Sequence, residues 1–182
     1  MDDLIYKIND YSDIFIKKNS LVVLDIDDTV LTYKGVSDNF YQERFNHYHK
    51  IYSNYDMILR LIKNDWNYFV KINPPNLINK KSFFNFIDIA LKSKCEIIFL
   101  TSRPKTMKLI TRYHFECNRL NDFIDKIHYS SSKGTYLKKL KEEKFKNYHN
   151  IIFVDDLKEN LINVFYHLQN LKVNIDLYQF NL

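Results

Sequence analysis

The chain of 182 residues reads as an α/β domain. A parallel sheet is expected with helices on both faces, in three layers, with a small, mainly helical cap inserted after the first buried strand. Three observations lead there. The short apolar runs LVVLDI, CEIIFLTS and NIIFVDD lack in–out alternation and have the length and branched residues of strands buried on both faces. Stretches with apolar residues at helical spacing separate them, as a parallel sheet requires. About seventy residues lie between the first run and the second, too many for a single crossover helix.

Taken in order, Leu4, Ile8, Tyr11 and Phe15 recur at helical spacing and predict an amphipathic helix at the start. LVVLDI then predicts the first strand. Residues 37–79 read as the inserted cap: helical periodicity through NFYQERFNHYHKIYSNYDMILRLIK, then DWNYFVKI, then the turn NPPN. The core domain is accordingly expected over 1–36 and 80–182. Most of the cap aromatics, Phe40 and Trp66 among them, are expected to form its interior. SFFNFIDIALKS predicts a helix capped by Ser82, with Phe83, Phe86, Ile87 and Ala90 on one face. CEIIFLTS is a strand, and a helix follows Pro104, whose missing N–H costs little in a first turn. DKIHYS reads as a weaker strand and NIIFVDD as a strong one. DLKENLINVFYHLQN supplies the next helix, and LKVNIDLYQF closes the sheet.

Composition narrows the class. Apolar residues make up 46% and charged residues 27%, a globular balance that excludes a disordered chain. The net charge of +5 admits an anionic substrate, but the lysines are scattered and form no basic stripe of the kind a nucleic-acid groove needs. Cys95 and Cys117 make no disulfide framework and read as small buried hydrophobes. MDDLIYKIND is acidic where a leader would be basic, and no apolar run approaches membrane-spanning length. A soluble, cytoplasmic protein without membrane partners is expected.

The residues with chemistry in them fall just after the strands. Asp25, Asp27 and Asp28 follow the first, Thr101 and Ser102 end the second, Lys133 lies beyond the weak third, and Asp155 and Asp156 end the next. Carboxyl ends of parallel strands are where such sheets bind ligands. An aspartate there can attack phosphorus, splitting one hard displacement into two easier ones. Carboxylates from two strands can hold Mg²⁺ and leave positions open for phosphate oxygens. A lysine and a hydroxyl can hold the remaining phosphate oxygens as charge develops.

At this point the chain resembles a known superfamily. LVVLDIDDTVL looks like motif I of the haloacid dehalogenase (HAD) superfamily, IIFLTSRP like motif II, SSKGTYLKKL like motif III and IIFVDDLKENL like motif IV. The resemblance implies a HAD-like Rossmannoid three-layer sandwich and Mg²⁺-dependent hydrolysis of a phosphomonoester through an aspartyl-phosphate. It gives Asp25 the role of nucleophile and metal ligand. Asp27 becomes the general acid, then base, with its backbone carbonyl on the metal. Thr101 binds phosphate, Lys133 neutralises nucleophile and phosphate, and Asp155 and Asp156 complete the metal site. Asn160 is given at most a supporting hydrogen bond. Asp156 has a second reading as the cap of the following helix. Gly35 and Gly134 fall beside this site, where turns are expected. The expected substrate is a small phosphorylated metabolite or nucleotide. The rivals are a nucleic-acid-end 3′-phosphatase and an idle HAD-like binding module.

Overall fold

The computed structural model describes residues 4–34 and 40–181, so the expected cap boundary at residue 37 and Gly35 lie outside the described residues. In chain order the strands are β1 (Ile5–Ile8), β2 (Ser20–Leu24), the two-residue β3 (Leu31–Thr32) and β4 (Asn76–Leu77), β5 (Glu96–Thr101), β6 (Ile127–Tyr129), β7 (Asn150–Asp155) and β8 (Asn174–Phe180). The helices are α1 (Phe40–His49), α2 (Tyr55–Ile72), α3 (Lys80–Lys92), α4 (Lys108–Cys117), α5 (Lys133–Glu143) and α6 (Lys158–Leu168).

Six strands form one sheet in the order β1-β8-β7-β2-β5-β6, with every pairing parallel. The chain runs from β2 out to β5 and β6, then returns to the other flank of β2 for β7 and β8. That reversal falls at the carboxyl ends of β2 and β7, the position at which parallel sheets hold ligands. The register is Leu24 beside Val154 on one side and Phe99 on the other.

Strand periodicity divides the core into two layers. Val22 and Leu24 pack with Phe83, Phe86 and Ala90 of α3 and Phe115 of α4, while Leu21 and Val23 pack with Leu137 of α5 and Leu161 and Val164 of α6. A strand whose two faces both meet helices leaves little room for a polar residue, which is why β2 after Ser20 reads as unbroken Leu and Val. Burial of each such side chain is worth about 1.5–3 kcal/mol.

The opening segment departs from the expected helix. Ile5–Ile8 is a strand paired with Leu177–Phe180, and a 3₁₀ turn follows at Tyr11–Asp13. Asp10 Oδ1 accepts from the Ser12 N–H at 2.9 Å, and the turn throws Ile8, Tyr11 and Ile14 inward while Leu4 and Phe15 stay exposed. The three-residue spacing belongs to that turn. Ser82 does not cap α3 either. The helix begins at Lys80, after Asn79 in the left-handed region (φ 41°), and the Ser82 hydroxyl donates to Asp10. Cys95 is buried as expected, but Cys117 is exposed.

The chain divides into two compact units, Met1–Thr32 with Leu77–Leu182, and Tyr33–Asn76. In the second, DWNYFVKI continues α2 without a break, and Asn54 caps that helix by accepting from the Met57 N–H at 2.9 Å. Ile58, Ile62, Trp66 and Val70 form its buried stripe, with Tyr33 edge-on to Trp66. Tyr41, Tyr55 and Tyr68 are exposed, so the aromatic interior is smaller than the sequence predicts. Among the described residues no helix is long and apolar enough to cross a membrane.

Candidate active site

The loop after β2 turns tightly enough to aim several carboxylates at one place. Asp28 occupies the left-handed region (φ 55°), which Asp tolerates better than most residues. The Val30 and Leu31 N–H groups both donate to the Ile26 carbonyl, and the Asp28 N–H donates to the Leu31 carbonyl. Tyr11, buried beneath, donates its hydroxyl to the Thr29 carbonyl and pins the loop to the core. Asp25 prolongs β2, its N–H donating to the Val154 carbonyl at 2.9 Å.

Lys133 lies at the centre. Its ammonium is 2.5 Å from Asp25 Oδ1 and 2.7 Å from Asp155 Oδ2, on a side chain 1% exposed. Burial opposes the charge of Lys133, but Asp25 and Asp155 together outweigh it and hold the ammonium above the ordinary lysine range. Its position is set from three directions. The Ser130 N–H donates to the Thr101 carbonyl, Ser130 Oγ accepts from the Ser132 N–H, and the Gly134 N–H donates to Asn163 Oδ1 at 2.8 Å. Gly134 is required by close approach rather than by a turn. A β-carbon there would lie 2.4 Å from the Asn163 carbonyl oxygen and 2.6 Å from His167 Nδ1.

The remaining carboxylates crowd the same space. One oxygen from each of Asp25, Asp155 and Asp156 falls within 4.8 Å of the others. Burial, then Asp155 and Asp27 acting against Lys133, push the Asp25 carboxyl up to about 7. Burial and the charges of Asp25, Asp155 and Asp28 push Asp156 up to about 8. Asp155 Oδ1 accepts from the Leu157 N–H at 3.0 Å and from Asn160 Nδ2 at 2.9 Å. Asn160 thus makes a supporting hydrogen bond to Asp155. Asp156 does not cap α6, which starts after Leu157 with no side-chain cap; its Oδ1 lies 3.5 Å from the Thr29 hydroxyl.

Asp27 and Thr101 are tied together by a residue that sequence reasoning passed over. Arg103 Nε and Nη2 donate to Asp27 Oδ2 and Oδ1 at 2.9 and 2.6 Å, and the Arg103 N–H donates to Thr101 Oγ1 at 3.1 Å. A readable signal existed: TSRP puts an arginine just past the carboxyl end of β5, across from three aspartates. Asp25, Lys133, Asp155 and Asp156 therefore make one cluster, and Asp27, Arg103 and Thr101 a second. Asp27 is near enough to raise the Asp25 carboxyl.

No protein-family model matches the chain, and no curated protein matches it. Solved structures do. The class C acid phosphatase from Bacillus anthracis aligns at 14% identity and a TM-score of 0.46, over 92% of this chain and 69% of its own. The HAD domain of the effector protein Lem4 from Legionella pneumophila aligns at 11% identity and a TM-score of 0.49, over 91% of this chain and 88% of its own. These scores are low, and the α/β assignment stands on the strand order and registers given above.

Proposed function

We propose that this chain is a HAD-type phosphatase that hydrolyses a small phosphomonoester through a phospho-Asp25 intermediate. The observation that carries the reading is the charge imbalance at these strand ends: three converging carboxylates share one buried lysine. Such a set suits a hard divalent cation, because Mg²⁺ takes anionic oxygen and keeps positions open for substrate phosphate. Asp25, Asp155 and Asp156 would hold it, with the Asp27 carbonyl as a further donor. A bound Mg²⁺ would supply Lewis-acid charge to the phosphate oxygens.

The chain's own residues divide the rest. Asp25 Oδ attacks phosphorus in line with the departing oxygen. Asp27 gives that oxygen a proton and later takes one from the attacking water. Lys133 balances nucleophile and phosphoryl charge from a fixed position, so little reorganisation is needed as the reaction proceeds. The Thr101 hydroxyl, accepting from Arg103, keeps its proton to donate to a phosphate oxygen. The buried Leu and Val side chains of β2 and the Ile, Phe and Val side chains of β7 exclude water from behind the nucleophile.

Hydrolysis of p-nitrophenyl phosphate is the first test, with Mg²⁺, with EDTA, and in Asp25→Asn. Release that needs Mg²⁺ and falls at least about a thousandfold in the variant is expected for loss of a nucleophile. Release that persists in Asp25→Asn would remove Asp25 from the chemistry.

A further inference from the structure

Arg103 joins helix α4 to Asp27. Two of its nitrogens meet the two oxygens of the Asp27 carboxylate, and the third, Nη1, donates to Thr111 Oγ1 at 3.0 Å. Thr111 in turn donates to the Met107 carbonyl at 2.9 Å, and His114 Nδ1 lies 3.4 Å from Nη1. Thr111 and His114 are one turn apart on α4, and both are fully buried. The Arg103 side chain is 2% exposed and that of Asp27 17%. An exposed lysine–aspartate pair would wander among rotamers. Here a planar fork is fixed at its far end by a buried helix face and presents its near end to one carboxyl.

We propose that Arg103 is a positioning residue for Asp27, holding its carboxyl where the proton is given and taken during ester hydrolysis; the inference rests on the phosphatase reading above. In the first step the Asp25 O–P bond forms, the bond from phosphorus to the leaving oxygen breaks, and the Asp27 proton passes to that oxygen. In the second a water oxygen bonds to phosphorus, the Asp25 O–P bond breaks, and the Asp27 carboxylate takes the water's proton. Alcohol and inorganic phosphate leave, and both aspartates return to their starting forms. The fork grips the carboxylate most strongly, and a protonated carboxyl keeps enough acceptor capacity for the contact to persist more weakly.

The two steps give the inference a signature that loss of fold does not share. p-Nitrophenolate leaves without a proton, whereas an alkoxide needs one. A displaced Asp27 therefore lowers kcat/KM for an alkyl ester selectively, and slows release of phosphate from Asp25 for every ester. Arg103→Lys keeps the charge and loses the fork. Relative to wild type, kcat/KM for ethyl phosphate should fall about 10- to 100-fold, and that for p-nitrophenyl phosphate less than about 3-fold. The same variant should show a burst of p-nitrophenol approaching one equivalent per protein before a slowed steady state. Thr111→Val, which removes only the anchor of Nη1, should repeat the pattern at smaller size. Equal losses on both esters without a burst, in the variant whose melting matches wild type, would overturn the positioning role and leave the phosphatase standing. Wild-type protein that releases phosphate from neither ester would overturn both.

Discussion

A lysine ammonium wedged between two buried carboxylates, with a third beside them, neutralises the Asp25–Asp155–Asp156 group only in part. The excess negative charge makes folding depend on pH. The ordinary carboxyl titrates near 3.8, whereas Asp25 is raised to about 7 and Asp156 to about 8. Between those values the folded chain binds protons that the unfolded chain has released, so each step up in pH favours unfolding. Metal-free protein should therefore melt at progressively lower temperature from about pH 4 to about pH 8, with Asp156→Asn flattening the upper part of that slope. Added Mg²⁺ competes with those protons and should raise the melting temperature more at pH 8 than at pH 5. Differential scanning fluorimetry in EDTA and in Mg²⁺ gives both trends; a melting temperature that climbs with pH in EDTA would contradict the charge argument. The aspartates and Lys133 were legible one by one because each follows a recognisable strand. The role of Arg103 was not, since its partners Asp27, Thr111 and His114 come from a different loop and from a helix face that only the fold brings together.

At the scale of elements, the N-terminus of α5 is where packing and charge meet. Gly134 lets α5 approach α6 closely enough for its N–H to reach Asn163 and for Lys133, one residue earlier, to reach Asp25. Gly134→Ala should cost about 1–3 kcal/mol, the usual range for overpacking a tight contact. It should also lower the phosphatase activity proposed above by moving Lys133. Urea denaturation with an unchanged slope and a lower midpoint, alongside steady-state kinetics, measures the two effects together. A contact loose enough to accept the added methyl would give neither. Legibility followed the same physics across the sheet. β2, β5 and β7 are buried on both faces, so their sequences carry the continuous apolar pattern that identifies them. β1 does not: its pattern burial–exposure is mixed, and what makes it a strand is pairing with residues at the far end of the chain. Local spacing was a misleading guide there because tertiary pairing overrides it.

For the whole molecule, the two compact units suggest an experiment in excision. The first unit contains every residue of the candidate site, and β3 and β4, at the points where the chain leaves and rejoins it, pair with each other. Joining Thr32 to Leu77 by a short Gly-Ser linker should leave a domain that unfolds in one cooperative transition. Because the only tryptophan, Trp66, departs with residues 33–76, far-UV circular dichroism is the signal to follow. The excised protein should keep the pH-dependent melting described above, which belongs to Asp25 and Asp156. A broad, non-cooperative melt would mean that the insertion is integral to the fold.

The pairing of β1 with β8 has a consequence for how the protein is made. Of the described strands β1 is synthesised before the others, yet its sheet partner β8 is synthesised after all of them. Until then Ile5–Ile8 has no β8 ladder to join, and β7, apolar from Ile151 to Val154, presents an open edge where β8 will later dock. Exposed apolar edges recruit other strands. Nascent chains stalled before Asn174 are thus the species from which aggregation should begin, and the seven-residue β8 closes that edge and secures β1 in a single event.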